Sequence, residues 1–342
     1  MADVTLGEIV AFSNGKSRPA EGSAYRTYGA NGVIGTAGDF NAGPDSTVVG
    51  RVGSYCGAVH YTTEPCWVTD NAIIAAPKEG VNPRYVYYLL KRLALNRHRI
   101  GSGQPLLTHG ILNRLTTARR TRAEQDSAAA VLGALDDKIA VNDRIAAGAD
   151  ALIRARYATF AARPAARVGD IGELVRRHVP PGQIGNANYI ALEHMPKRRM
   201  WLPTWTDASG VTSAKGRFAA GDILFGKLRP YFHKAGLAFV DGVASTDILV
   251  VRPKDPGHRG WLLAALASDE MIAHASAVSD GTRMPRAGWS DIAAFEVPWP
   301  GDAGAREFTA FVAPLAARVR AAAAETATLA ALRETLLPRL IP

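Results

Sequence analysis

The sequence predicts an α+β chain in which two pseudo-repeated globular units are separated by an antiparallel two-helix coiled coil. Three observations predict it. Short motifs recur in the same order in both halves, and each half opens with brief β-rich runs. Each half then closes with a long stretch whose apolar residues fall three and four apart, in matching register. The boundaries are 1–122 for the first unit, 123–162 for the first spacer helix, 163–303 for the second unit and 304–342 for the second spacer helix.

The repeat is legible residue by residue. Leu6-Gly7-Glu8-Ile9 returns as Val168-Gly169-Asp170-Ile171, and Val48-Val49-Gly50-Arg51 with Tyr55 beyond it returns as Leu224-Phe225-Gly226-Lys227 with Tyr231. Thr69-Asp70-Asn71 through Pro77 returns as Ser245-Thr246-Asp247 through Pro253. The loop Gly101-Ser102-Gly103-Gln104-Pro105 has its counterpart in Asp280-Gly281-Thr282-Arg283-Met284-Pro285. The offset grows only from 162 to 180 along the chain, which points to two tandem copies of one unit.

Within each copy, Val48–Gly50, Ala72–Ala76, Asp222–Phe225 and Ile248–Val251 are short, β-rich and bounded by Gly, Asp or Pro, as buried strands are. Tyr85–Leu95 and Gly260–Ala273 read as helices packed on them. From about Glu124 to Phe160 there is no proline. Leu132, Leu135, Ile139, Ala146, Ala149, Ile153 and Phe160 lie on one seam there, interrupted by Asn142 and Arg156. Shifting these positions by 180 gives Val312, Leu315, Val319, Thr326, Leu329, Arg333 and Leu340. Each helix alone suits an amphipathic face on its own core. The shared register favours pairing of the two as an antiparallel coiled coil. A 36-residue helix is roughly 54 Å long at a rise of ~1.5 Å per residue. Units held at its two ends would bind two places on one long ligand.

Composition narrows the function. Of 342 residues 47% are hydrophobic, ample for packed cores and incompatible with disorder. Forty Lys+Arg against 31 Asp+Glu leave +9, which points weakly to nucleic acid. Two cysteines, Cys56 and Cys66, exclude a disulfide framework and a four-thiolate zinc site, and suit a reducing cytoplasm. Asp3 and Glu8 interrupt the first apolar stretch, unlike a secretory signal. No run reaches the roughly 18 apolar residues of a membrane span.

Catalytic constellations are missing. Asn82-Pro83-Arg84-Tyr85 is similar to the Asn-Pro-Pro-Tyr motif of amino-methyltransferases, but arginine replaces the second proline and no glycine-rich nucleotide loop precedes it. It reads as a helix N-terminus. Asp136-Asp137-Lys138 lies beside the seam, where a solvated face is expected. The eight histidines lack metal-ligand spacing, and no Gly-Lys-Ser/Thr cradle occurs. The chain is therefore expected to be no enzyme, with no metal and no cofactor of its own.

Several of these segments together resemble the specificity subunit of type I restriction–modification systems. Glu124-Gln125, Leu132, Leu135-Asp136-Asp137-Lys138-Ile139, Asn142 and Ile145 resemble that family's first helical spacer. Gly221-Asp222-Ile223-Leu224-Phe225-Gly226-Lys227-Leu228-Arg229-Pro230-Tyr231 resembles the opening of a target-recognition domain, as do Asn31-Gly32-Val33-Ile34-Gly35 and Gly53-Ser54-Tyr55-Cys56-Gly57 in the first copy. Leu332-Arg333-Glu334-Thr335-Leu336-Leu337-Pro338-Arg339-Leu340 resembles the end of the second spacer. Two departures fall at the joints: Thr121-Arg122-Ala123 stands where prolines usually precede Glu-Gln, and Ala305-Arg306-Glu307 replaces the second Glu-Gln. The chain also ends at Pro342, a little before the usual tail. The resemblance implies a non-catalytic subunit in which each recognition domain reads one half of a bipartite double-stranded DNA target. It also implies docked methyltransferase subunits carrying S-adenosylmethionine, and a separate restriction motor and nuclease subunit. The alternative is a non-catalytic scaffold of another phage-defence complex that reuses the recognition domains.

DNA affinity comes largely from Lys and Arg on phosphates, and sequence choice from side chains on base edges. Two loops per copy suit this. The first offers Arg51, Ser54 and Tyr55 in copy one, and Lys227, Arg229, Tyr231, His233 and Lys234 in copy two. The second offers Ser102 and Gln104, matched by Thr282 and Arg283, with Arg286 beyond. Arginine suits guanine and glutamine suits adenine by paired hydrogen bonds. Lys16 and Arg18 are expected on the backbone. Tyr55 and Tyr231 read equally as core aromatics. Arg119, Arg120 and Arg122, at the start of the first spacer, are expected to clamp phosphates or to solvate the helix start.

Overall fold

The computed structural model describes residues 3–101, 103–161, 163, 165–281 and 284–341. Two compact units emerge, Met1–Lys138 with Thr328–Pro342, and Ile139–Ala327. Helix and sheet are mixed in both, and two long helices, Arg122–Ala158 and Gly301–Leu340, each contribute to both units.

In the first unit a four-stranded antiparallel sheet carries, in spatial order, Val10–Asn14, Ala72–Pro77, Ser46–Gly50 and Val59–Thr62. All five residues of Ser46–Gly50 are buried, which is why that strand is a continuous short-side-chain and β-branched run rather than an alternating one. A three-stranded sheet of Gly32–Ala37, Glu21–Gly29 and Cys66–Val68 stands beside it. The N-terminal strand Asp3–Thr5 closes the unit by pairing with Thr116–Ala118.

The second unit repeats this plan. Gly172–Leu174, Ile248–Pro253, Ile223–Gly226 and Ala235–Ala238 take the same order, and Trp201–Leu202 adds a fifth strand. A further five-stranded sheet runs His178–Val179, Lys215–Phe218, Gly242–Ala244, Asn188–Ile190 and Thr206–Asp207. Ala165–Arg167 pairs with Glu296–Pro298 as the first unit's N-terminal strand does with its own partner.

Two helices differ from expectation. Pro83–Arg92 starts earlier than Tyr85 because the Asn82 side chain accepts the Tyr85 N–H at 2.9 Å, and it ends where Ala94 turns left-handed at φ +47°. The single helix expected over 260–273 is two, Arg259–Leu266 and Asp269–Ala277. Ser268 breaks it by accepting the Met271 N–H through its hydroxyl at 3.1 Å, an N-cap in mid-run.

The start of the first long helix is locked by its own sequence. Glu124 accepts the Thr121 N–H at 2.8 Å while the Thr121 hydroxyl accepts the Glu124 N–H at 3.3 Å, a capping box. Gln125 accepts the Asn82 N–H at 2.9 Å and donates to the Arg120 carbonyl at 3.0 Å, tying helix to unit. Arg119, Arg120 and Arg122 are held by Glu8, Glu124 and Asp126 at 3.5, 3.0 and 2.8 Å. Those pairings gather the three arginines around the helix start.

The seams face inward as the spacing predicts. In the first unit Leu132, Leu337 and Ile341 share one buried core. In the second Ala149, Ile153, Val312 and Val319 share another, with Ala146, Phe160 and Leu315 packed against it. Leu135, Ile139 and Leu329 are half-buried. The polar interruptions meet each other. Asn142 donates to Glu325 at 2.9 Å and to Thr326 at 3.2 Å, and Arg156 donates to Glu307 at 2.7 Å, so within the second unit the helices run antiparallel. Each helix therefore lies on a core and touches its fellow. Asp137 lies on a solvated face as expected, where Arg84 grips it at 2.6 and 2.9 Å, whereas Asp136 is partly withdrawn from water and held by Tyr88 and Arg333.

Candidate nucleic-acid interface

The two loops singled out in each copy prove to be neighbours. In the first unit the strand Ser46–Gly50 runs out into Arg51 and a single 3-10 turn, Gly53–Tyr55. Gly50 has no room for a side chain, since a Cβ there would lie 2.3 Å from the Tyr55 carbonyl and 2.6 Å from that of Ala30. The Gly53 N–H donates to the Pro105 carbonyl at 3.0 Å and Leu107 N–H donates to the Arg51 carbonyl at 2.9 Å. The second loop is itself a hairpin, closed by reciprocal bonds between Ile100 and Leu106 at 2.9 Å and turned by Gly101 at φ +90°.

The second unit builds the same clamp. Ile223–Gly226 runs into the turn Pro230–Phe232, the Arg229 N–H donates to the Pro285 carbonyl at 2.8 Å, and Ala287 N–H donates to the Lys227 carbonyl at 3.0 Å. Asp280 and Arg286 exchange bonds of 3.1 and 3.0 Å, and Gly281 turns at φ +101°. Arg229 and His233 flank the turn at φ +51° and +54°, left-handed positions that non-glycine residues seldom hold.

Side-chain placement sorts the candidates. Tyr55 is 53% exposed and Tyr231 55%, so neither is a core aromatic. Ser54, Gln104, Lys16 and Arg18 are exposed, and Arg51, Lys227 and Arg229 are half-buried. Arg18 lies over Gly35, whose missing Cβ leaves room for the guanidinium. Lys16 and Arg51 leave the same end of the sheet, because Asn14 pairs with Ile73 and Gly50 with Ala72. Arg286 is exposed but donates to Asp247 at 3.1 Å. Ser102, Thr282 and Arg283 lie outside the described residues.

Two candidates face inward. His233 is 3% exposed, with its ring Nε2 on the Ala267 carbonyl at 2.9 Å, and burial pushes its imidazole below the usual histidine range. It holds the turn in place from beneath. Lys234 spends its ammonium on the Leu192 carbonyl, and burial, with Lys197 repelling it, lowers its pKa. Both are removed from the contact set, because their polar atoms are committed inside the unit.

The hairpin register corrects one equivalence. Ile100 opposes Leu106 as Asp280 opposes Arg286, so the counterpart of Gln104 is Met284. Exposed basic residues that sequence reading missed also border these loops. Arg97, His98 and Arg99 run directly into the first hairpin, a cluster plain in the sequence. Arg176 and Arg177 leave the second unit's first sheet at the same end as Lys227, and His178 opens the next strand, because Val175 donates to Val250 at 2.9 Å and Lys227 to Asp247 at 3.0 Å. The 162-residue offset applied to Lys16 lands on His178 and would have found them.

Each clamp thus presents an exposed tyrosine with cationic groups beside it, and the first adds the exposed amide of Gln104, an arrangement suited to binding. Among the described residues no cluster of His, Cys, Asp or Glu is disposed to hold a metal ion. No helix among the described residues is long and apolar enough to cross a membrane.

Comparison with known proteins bears on this geometry. The specificity subunit of the type I restriction enzyme EcoDI of Escherichia coli is 33% identical over 143 residues, 39% of this chain and 30% of that subunit. The chain matches under a third of that relative's length. No protein-family model matches. The S subunit of a type I restriction–modification system from M. genitalium shares the fold, with a TM-score of 0.56 over 100% of this chain and 96% of its own at 15% identity. The HsdS subunit from Thermoanaerobacter tengcongensis aligns more loosely, with a TM-score of 0.34 over 99% and 96% at 14% identity.

Proposed function

We propose that this chain, a relative of the type I restriction–modification specificity subunits in sequence and in fold, gives such a complex its DNA target. Each unit reads one half of a bipartite sequence in double-stranded DNA through its clamped pair of loops, and the long helices set the unread gap between the halves. Methyltransferase subunits dock on those helices and carry S-adenosylmethionine. A restriction motor and nuclease subunit joins the assembly, and the whole works in the cytoplasm. The chain performs no chemistry itself.

The observation that carries this reading is the duplicated clamp. The same two loops are joined by equivalent backbone bonds, 53 to 105 and 229 to 285, and each pair shows an exposed tyrosine. Duplicated clamps with divergent side chains suit two half-sites of different sequence. The decisive experiment maps methylated adenines in the source genome with and without this gene. A two-part motif with a fixed gap, lost on deletion, is the expected result; an unchanged methylation pattern overturns the proposal.

A further inference from the structure

Met284 occupies the hairpin position that copy one gives to Gln104, and it is 47% exposed. A lone exposed methionine is unremarkable on a protein surface. This one sits beside the turn bearing the exposed Tyr231, because its neighbour Pro285 accepts the Arg229 N–H at 2.8 Å. Lys227 is one backbone bond away, from Ala287 at 3.0 Å, and Arg286, paired with Asp247, stands two residues on, so the exposed methionine has cationic side chains at its rim. A cationic rim is matched by phosphates. The apolar group that a duplex presents on its base edges is the thymine 5-methyl in the major groove.

We infer that Met284 reads a thymine in the half-site taken by the second unit, packing its flexible thioether chain against the 5-methyl group. The inference rests on the DNA-reading function proposed above and assigns this site one base. It also accounts for the divergence at this position. Glutamine, which suits adenine, stands at one hairpin and methionine, which suits thymine, at the other.

The test uses the full chain assembled with its methyltransferase subunits and labelled duplexes bearing the mapped target. Each thymine in turn is replaced by uracil, which deletes only the methyl. Burying one methyl is worth about fourfold in affinity, so one uracil position should weaken binding by that factor. Met284→Ala should bind the thymine and uracil duplexes at that position equally. Met284→Gln should move the preferred base there toward adenine. The inference is overturned if no thymine position responds, or if the uracil penalty persists in Met284→Ala. It is also overturned if Met284→Ala releases the methyltransferase subunits while leaving the uracil pattern intact, since the patch would then face protein. A complex with no preference for the mapped duplex over a scrambled one removes the underlying function as well. Preference retained without the methionine–methyl coupling removes this inference alone.

Discussion

Arg333, the charged member of the second helix's seam, donates to Asp136 of the first helix, and the Tyr88 hydroxyl bonds the same carboxylate at 2.6 Å. Both charged side chains are 19% exposed, so each is partly withdrawn from water and depends on the other. An arginine that reads as a flaw in an apolar seam is in this way matched within the first unit. Arg333→Ala leaves Asp136 with Tyr88 and without its cation, which should cost about 1–3 kcal/mol. Asp136→Asn should cost less. Urea midpoints of the two single variants and the double variant measure the coupling; strict additivity would show that the pair contributes nothing.

Asn142 should act as a register pin. It is 3% exposed, and its amide donates to Glu325 and Thr326 on the opposing helix. A buried asparagine in a helix seam specifies alignment at some cost in stability. Asn142→Leu is therefore expected to raise the melting temperature while loosening the alignment. Cysteines placed at exposed positions 143 and 324 should cross-link less completely in that variant than with Asn142 in place. Equal cross-linking in both would remove the role.

The fold was legible where repetition and period carry it. The Leu6/Val168 equivalence located matching short helices and the Gly50/Gly226 equivalence matching strands, and the seam found both long helices, because a periodic apolar face needs no tertiary knowledge. The helix break at Ser268 was not legible, since a serine caps a helix only when the chain around it already turns. His233 was misread because a histidine next to a lysine, two residues after a tyrosine, looks solvent-facing; its inward direction comes with a left-handed backbone at φ +54°. The Gln104–Met284 equivalence failed for another reason. Matching residues by chemistry aligned glutamine with arginine, whereas hairpin pairing aligns by backbone position.

Asp150 should make the second unit's stability depend on pH. Its carboxylate, 5% exposed, accepts the Met200 N–H at 3.2 Å, with Arg199 at 3.8 Å. Burial pushes its pKa up to about 6, against the pull of the Met200 N–H and of Arg199 and Arg154. The folded value lies above the unfolded one of about 4, so the folded state holds the proton more tightly. The resulting stability is fully present below pH about 4 and is lost as pH rises through about 6, on the order of 3 kcal/mol in all. Arg199 also bonds Asp143 at 3.2 Å. Asp150→Asn should flatten the dependence and be the more stable protein at pH 8. Urea midpoints at pH 5, 6, 7 and 8 follow this, and a wild-type profile as flat as the variant's would refute it.

The exposed tyrosines offer the sharpest test of modular reading. Tyr55 and Tyr231 hold the same place in the two clamps and are exposed to nearly the same extent, 53% and 55%. Each sits on a 3-10 turn fixed by backbone bonds, so truncation should leave the turn standing. Tyr55→Ala should relax base choice in one half of the methylated motif and Tyr231→Ala in the other, each by about 1–3 kcal/mol at a base pair. Lys227→Ala should weaken binding to all sequences alike and lower the salt slope by about one. Methylated-adenine sequencing reads the first two effects, and affinity across a salt series reads the third. Relaxation of both halves by a single tyrosine change would mean that the two clamps do not read independently.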